Sequence, residues 1–149
     1  MKPIIAVGAL GGTIAMSAEG TGAVRPELSA DDLVGAVPAL TDVAQIRAET
    51  ISNVASPAIV PRNVLDALDF ATRSIDEGAT GVVLTHGTDT LEETAYLLDL
   101  LWDREEPLVV TGAMRSPNLP GADGPANLLA AVGTAGSEDA MGMGVLVVL

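Results

Sequence analysis

The stretch GVVLTHGTDTLEETAYLLDLLW, Gly81 to Trp102, decides the fold class. Gly81 to Leu84 is a short apolar run that reads as a buried strand. Thr90 and Glu93 then stand at capping-box spacing and open a helix running to about Trp102. A buried strand that passes through a polar turn into a helix is half of a β–α unit, and the rest of the chain repeats it. Upstream, Ile4 to Leu10 is a second glycine-bounded apolar run, and Val43 to Ile51 alternates loosely as a strand. Ser29 with Asp32 caps a short helix that ends before Pro38. Pro61 starts a longer helix with Val64, Leu65, Leu68, Ala71 and Ile75 at helical spacing and Gly78 as its stop. Downstream, Pro107 to Val110 is a strand, Pro125 opens a helix, and Val145 to Leu149 is a last strand. This alternation predicts one α/β domain over residues 1–149, a mainly parallel sheet with helices on both faces in three layers.

Composition limits what such a domain can do. The chain has 149 residues with 7 basic and 20 acidic side chains, a net charge of −13. Hydrophobic residues make up 48% of it, yet the aromatic ones are only Phe70, Tyr96 and Trp102, so the core is aliphatic. The acidic balance argues against a nucleic-acid partner, which needs clustered Lys and Arg, and Lys2 is the only lysine. The absence of cysteine excludes disulfides, thiol nucleophiles and thiolate metal sites. A single histidine, His86, builds no His-rich metal site, and no metal or cofactor is expected. No apolar run is long enough for a membrane helix. Ile4 to Met16 has the length of a secretory h-region, but Pro3, Gly8, Gly11 and Gly12 interrupt it, so the expected address is the cytoplasm.

In parallel α/β sheets, ligands bind beyond the C-terminal strand ends, and three polar clusters fall there: Gly11-Gly12-Thr13, His86-Gly87-Thr88-Asp89 and Gly112-Ala113-Met114-Arg115. The first is neither a dinucleotide fingerprint nor a phosphate loop, and no Ser stands in a nucleophile elbow. It leaves a threonine exposed beyond two glycines, whose bare backbone lets a substrate approach, or else a tight turn with a capping Thr. Thr88 and Asp89 can both point into the strand-end crevice: the carboxylate suits an ammonium, and the hydroxyl suits a water or a proton. The competing reading makes Thr90, and in part Asp89, mere helix caps. His86 reads as a packing residue at a strand end, with no evident Ser or Thr partner. Ser17 to Ser29, with Gly20, Gly22 and Pro26, is a polar loop of lid type.

These segments together resemble the paired signature of bacterial-type L-asparaginases. Gly11-Gly12-Thr13-Ile14-Ala15 and His86-Gly87-Thr88-Asp89-Thr90-Leu91-Glu92-Glu93-Thr94-Ala95 carry the likeness. Gly112-Ala113-Met114-Arg115, Ala122-Asp123-Gly124-Pro125-Ala126-Asn127-Leu128 and Gly144-Val145-Leu146-Val147-Val148 follow in family order. The resemblance implies an amidohydrolase in which Thr13 attacks the side-chain amide of L-asparagine, or of L-glutamine, to give an acyl-enzyme and ammonia. It implies that Thr88 and Asp89 form a second catalytic group working with a lysine, and that Asp89 also holds the substrate α-amino group. Ser56 would bind the α-carboxylate, Gly12 and Gly87 would line the substrate, and Ala113 would lie at the amide end of the pocket. Residues 14–30 would be the lid, and the whole enzyme would be a homodimer or homotetramer.

Three departures from the family stand out. The family's lysine lies beyond the strand at which this chain stops, and Lys2 cannot replace it. Residues 17–30 hold no tyrosine, although lids of well-known members do, and Pro57 follows Ser56 where some members have glutamine. The family's C-terminal domain, which completes a neighbouring subunit's pocket, is not in these residues. Val145 to Leu149 is a core-type strand with no loop after it, so the expectation is a domain truncated at its C-terminal end. The alternatives are an inactive amino-acid-binding fragment and the amidase subunit of a tRNA-dependent amidotransferase.

Overall fold

A computed structural model describes residues 2–17, 25–26 and 28–149. The first strand, β1 (Ile4–Gly11), lies at the second position of a five-stranded sheet and is buried along almost its whole length. Met16–Ser17 (β2) and Arg25–Pro26 (β3) pair as a short antiparallel ribbon. Then follow α1 (Ala30–Gly35), α2 (Leu40–Val43), β4 (Gln45–Val54), α3 (Pro61–Asp76), β5 (Gly81–Thr85), α4 (Leu91–Leu101), β6 (Leu108–Thr111), α5 (Gly124–Ala135) and β7 (Val145–Val148). The sheet order is β4-β1-β5-β6-β7, and every pairing in it is parallel.

The period of two along each strand separates two cores. Ile5, Val7, Ala9, Val83 and Val109 face one side and pack with Leu33 of α1, Leu40 of α2 and Leu128, Ala131 and Ala135 of α5. Ala6, Leu10, Val82, Leu84, Leu108 and Val110 face the other side, against Val64, Phe70 and Ala71 of α3 and Leu91 and Leu98 of α4. Helices on both faces of a parallel sheet give the expected three-layer α/β domain. None of the helices among the described residues is long and apolar enough to cross a membrane.

Two local expectations are corrected. The strand expected from Val43 begins at Gln45, because Leu40–Val43 forms one helical turn that buries Leu40 and leaves Val43 exposed. Gln45 N–H then donates to Pro3 O at 2.8 Å, which starts the ladder with β1. The strand also runs on to Val54 past an irregularity between Ala9 and Gly11, where the Ser52 hydroxyl donates to Leu10 O at 3.0 Å. The second correction is at α4. Thr90 is its N-cap residue, but its side chain makes no capping bond and donates instead to Ser56 O at 2.9 Å. At α1 the expected capping box does form, with Ser29 Oγ and the Asp32 carboxylate each accepting the other's backbone N–H.

Candidate functional site

The ladder brings the strand ends level. Ala9 pairs with Thr85, Thr85 with Thr111 and Thr111 with Val148, so the segments after β1, β5 and β6 leave the sheet side by side. On the other flank Gly11 pairs with Val54, which delivers the turn Ser56–Ala58 to the same edge. The three polar clusters of the sequence thus form one ledge beyond the C-terminal strand ends, where the fold class places ligand sites.

Glycine lets these segments touch. Gly12 has φ +86°, and a Cβ there would collide with the backbone of Gly87. A Cβ on Gly87 would in turn stand 2.5 Å from Ser56 Oγ and 3.2 Å from Gly12 Cα. The Thr13 turn, the β5–α4 loop and the Ser56 turn are therefore in close contact. Thr13 opens a 3-10 turn closed by Ala15 N–H to Gly12 O at 3.0 Å, and its side chain is half-buried.

Ser56 is the buried centre of the ledge, 4% exposed. Its hydroxyl donates to Asp89 Oδ2 at 2.9 Å, and Asp89 N–H donates back to Ser56 Oγ at 3.3 Å. Thr90 bonds the carbonyl of the same serine, so the residue expected to cap α4 ties the Ser56 turn to the Asp89 loop. Asp89 is exposed and Thr88 half-buried, so both face the solvent side of the ledge. The methyl Cγ2 of Thr88 lies 3.3 Å from where a Cβ on Gly112 would stand, which brings the β6 segment alongside. Ala113 is fully buried and flanks Gly124, as does Ile14 of the Thr13 turn. All the residues singled out in the sequence, Gly12, Thr13, Ser56, Gly87, Thr88, Asp89 and Ala113, lie on these four adjoining segments. The expected lid falls largely on residues 18–24 and 27, outside the described residues. No group of three or more His, Asp or Glu side chains among the described residues is placed to hold a metal ion.

His86 has a partner that sequence reasoning missed. It is fully buried, its Nδ1 lies 2.7 Å from Gly87 O, and its Nε2 lies 3.0 Å from the Thr94 hydroxyl on α4. A carbonyl only accepts, so Nδ1 carries the proton and Nε2 accepts from Thr94. No local spacing relates the two, because His86 lies in the loop before α4 and Thr94 on the helix, so only the fold brings them together. Burial holds the His86 pKa below its ordinary 6.5, outweighing the Gly87 carbonyl and Glu93, which push the other way. Since the unfolded chain takes up this proton more readily, the neutral ring supports the fold fully above pH 6.5, and that support fades as pH falls below it. An imidazole ¹⁵N NMR titration, unambiguous with one histidine, is expected to give the Nδ1–H tautomer and a midpoint below 6.5. A midpoint at or above that value would reject the locked neutral ring.

Comparison with known proteins agrees with this architecture. The chain matches the family "Asparaginase, N-terminal" over residues 4–149. It is 41% identical over 154 residues to "Probable L-asparaginase 4" of Schizosaccharomyces pombe, covering 100% of this chain and 43% of that protein. It is 40% identical over 143 residues to a glutamyl-tRNA(Gln) amidotransferase subunit of Methanococcus maripaludis, covering 95% of this chain and 34% of that one. A crystal structure described as a probable cytoplasmic L-asparaginase from Campylobacter jejuni superposes with a TM-score of 0.89 at 39% identity. That alignment covers 99% of this chain and 44% of the Campylobacter chain. The chain thus spans less than half the length of these relatives. With its strand order, its strand-end ledge and a family match over nearly every residue, the chain belongs to the asparaginase family and corresponds to its N-terminal domain.

Proposed function

We propose that the ledge is the nucleophile-bearing, amino-acid-binding part of an L-asparaginase active site. The observation that carries this reading is the Ser56–Asp89 hydrogen bond of 2.9 Å. It joins a carboxylate and a hydroxyl from segments 33 residues apart, next to the Gly12–Gly87 contact from which Thr13 emerges. Asp89 holds the α-ammonium of the substrate, and Ser56 turns its hydroxyl to the α-carboxylate. The side-chain amide then extends toward Thr13 and Thr88.

Thr13 Oγ1 attacks the amide carbon, its proton passes to the amide nitrogen, the C–N bond breaks, and ammonia leaves behind a threonyl ester. Water next attacks the ester carbon, the C–O bond to Thr13 breaks, and aspartate forms with the hydroxyl restored. Thr88 orients the water or passes a proton, a task that needs a basic partner beside it. No cofactor enters this scheme. L-Glutamine, one methylene longer, is the second substrate to test. In the whole enzyme we expect a cytoplasmic homodimer or homotetramer.

The test is titration of the 149-residue chain with L-asparagine, followed by NMR or calorimetry. Asp89→Asn removes the charge facing the ammonium and is expected to weaken binding by about 10- to 100-fold. An unchanged affinity would remove Asp89 from that role, and no binding to the unaltered chain would sink the reading. The similarity to the amidotransferase protein favours a second reading, an amidase that serves a tRNA-bound substrate. A net charge of −13 repels a phosphate backbone, so this reading ranks lower. Salt-sensitive binding of tRNA to the chain would reverse the order.

A further inference from the structure

Asp123 occupies the N-cap position of α5, yet its carboxylate makes no capping bond. Both oxygens turn back onto the loop that follows β6. Oδ2 accepts from Met114 N–H at 2.8 Å and Oδ1 from Arg115 N–H at 2.9 Å. One turn along α5, the Asn127 side-chain amide donates to Gly112 O at 3.0 Å and to Asp123 Oδ2 at 3.2 Å. Two side chains of one helix thus grip the backbone of residues 112, 114 and 115. Apolar burial does not explain the hold on the outer part of this loop, since Met114 is 71% exposed and Arg115 is exposed too. The Met114 N–H above all keeps the Asp123 carboxyl below the usual carboxylate range.

The gripped loop is a wall of the ledge. Gly112 lies against Thr88, and Ala113 meets Ile14 of the Thr13 turn across Gly124. Its place therefore sets the space beside the two threonines and leaves the Ser56–Asp89 end untouched. The geometry points to Asp123, seconded by Asn127, as a positioning residue that fixes the β6 loop so that the ledge accepts the side-chain amide of the substrate. The inference rests on the asparaginase reading and names the device that shapes its reacting end.

The test compares L-asparagine with L-alanine, which keeps the α-ammonium and α-carboxylate but lacks the amide. Asp123→Ala is expected to weaken asparagine binding to the 149-residue chain by about tenfold while leaving alanine binding unchanged. Asp123→Asn retains one accepting oxygen and is expected to fall between the two. Asn127→Ala should shift asparagine in the same direction by less, and it serves if Asp123→Ala does not fold. Amide exchange at Met114 and Arg115 should quicken in Asp123→Ala, with the other strand-end amides unaffected. Equal loss for both ligands would reduce Asp123 to a general structural role, and unchanged asparagine binding would overturn the inference alone. If the unaltered chain binds no asparagine, the functional reading fails, and this inference fails with it.

Discussion

The purified 149-residue polypeptide is expected to release no measurable ammonia from millimolar L-asparagine. Moving protons at Thr13 and Thr88 takes a group that can both give and accept one near neutral pH. Lys2 is the only lysine, and its Nζ donates to Thr41 O at 2.6 Å, near where β1 begins. From there to the ledge the strand Ile4–Gly11 runs about 23 Å. Arginine stays charged at any working pH and cannot exchange the proton. His86 is the one remaining candidate, but it is fully buried with both ring nitrogens already bonded. An ammonia-coupled assay settles the point. Turnover in the ordinary enzyme range, on the order of 1 to 1,000 per second, would show that the ledge works without a lysine and would return His86 to the list of bases.

The other large effect is expected at Thr13. In an enzyme that carries these residues together with a lysine at the Thr88–Asp89 end, Thr13→Ala should lower turnover by roughly four orders of magnitude or more. The reason is the loss of the covalent step, for the Gly11-Gly12 turn presents no other hydroxyl at the end of β1. Substrate binding is expected to change little, because the proposed amino-acid end, Ser56 and Asp89, is left intact by the substitution. Thr13→Ser keeps a hydroxyl and should retain most of the chemistry. Mass spectrometry of a stalled acyl-enzyme adds an independent readout: an adduct on any residue but Thr13 would reject the assignment. Near-normal turnover in Thr13→Ala would reject it as well.

The layered fold was legible in the sequence because it rests on local, periodic signals. Short apolar runs mark β1, β5 and β6, helical spacing after Pro61 marks α3, and Ser29 with Asp32 marks α1. Three segments of the ledge were legible for a similar reason, since strand ends followed by polar, glycine-bearing turns are visible one segment at a time, whereas Ser56 came only from the resemblance to the asparaginases. What each polar side chain bonds was not legible, because those partners come from distant segments. Thr90 has the spacing of a cap, yet the Ser56 carbonyl, 34 residues away, takes its hydroxyl. Asp123 sits where a cap belongs and spends its carboxylate on Met114 and Arg115 instead. A polar group leaving water must find a partner within about 3 Å, and the parallel register of the sheet decides which one is in reach. Sequence pattern therefore determined the layers, and the resemblance to the asparaginases completed the line-up of candidate residues. The tertiary structure decided which of them meet: Ser56 with Asp89, Gly12 with Gly87, and Asp123 with the loop beside Thr88.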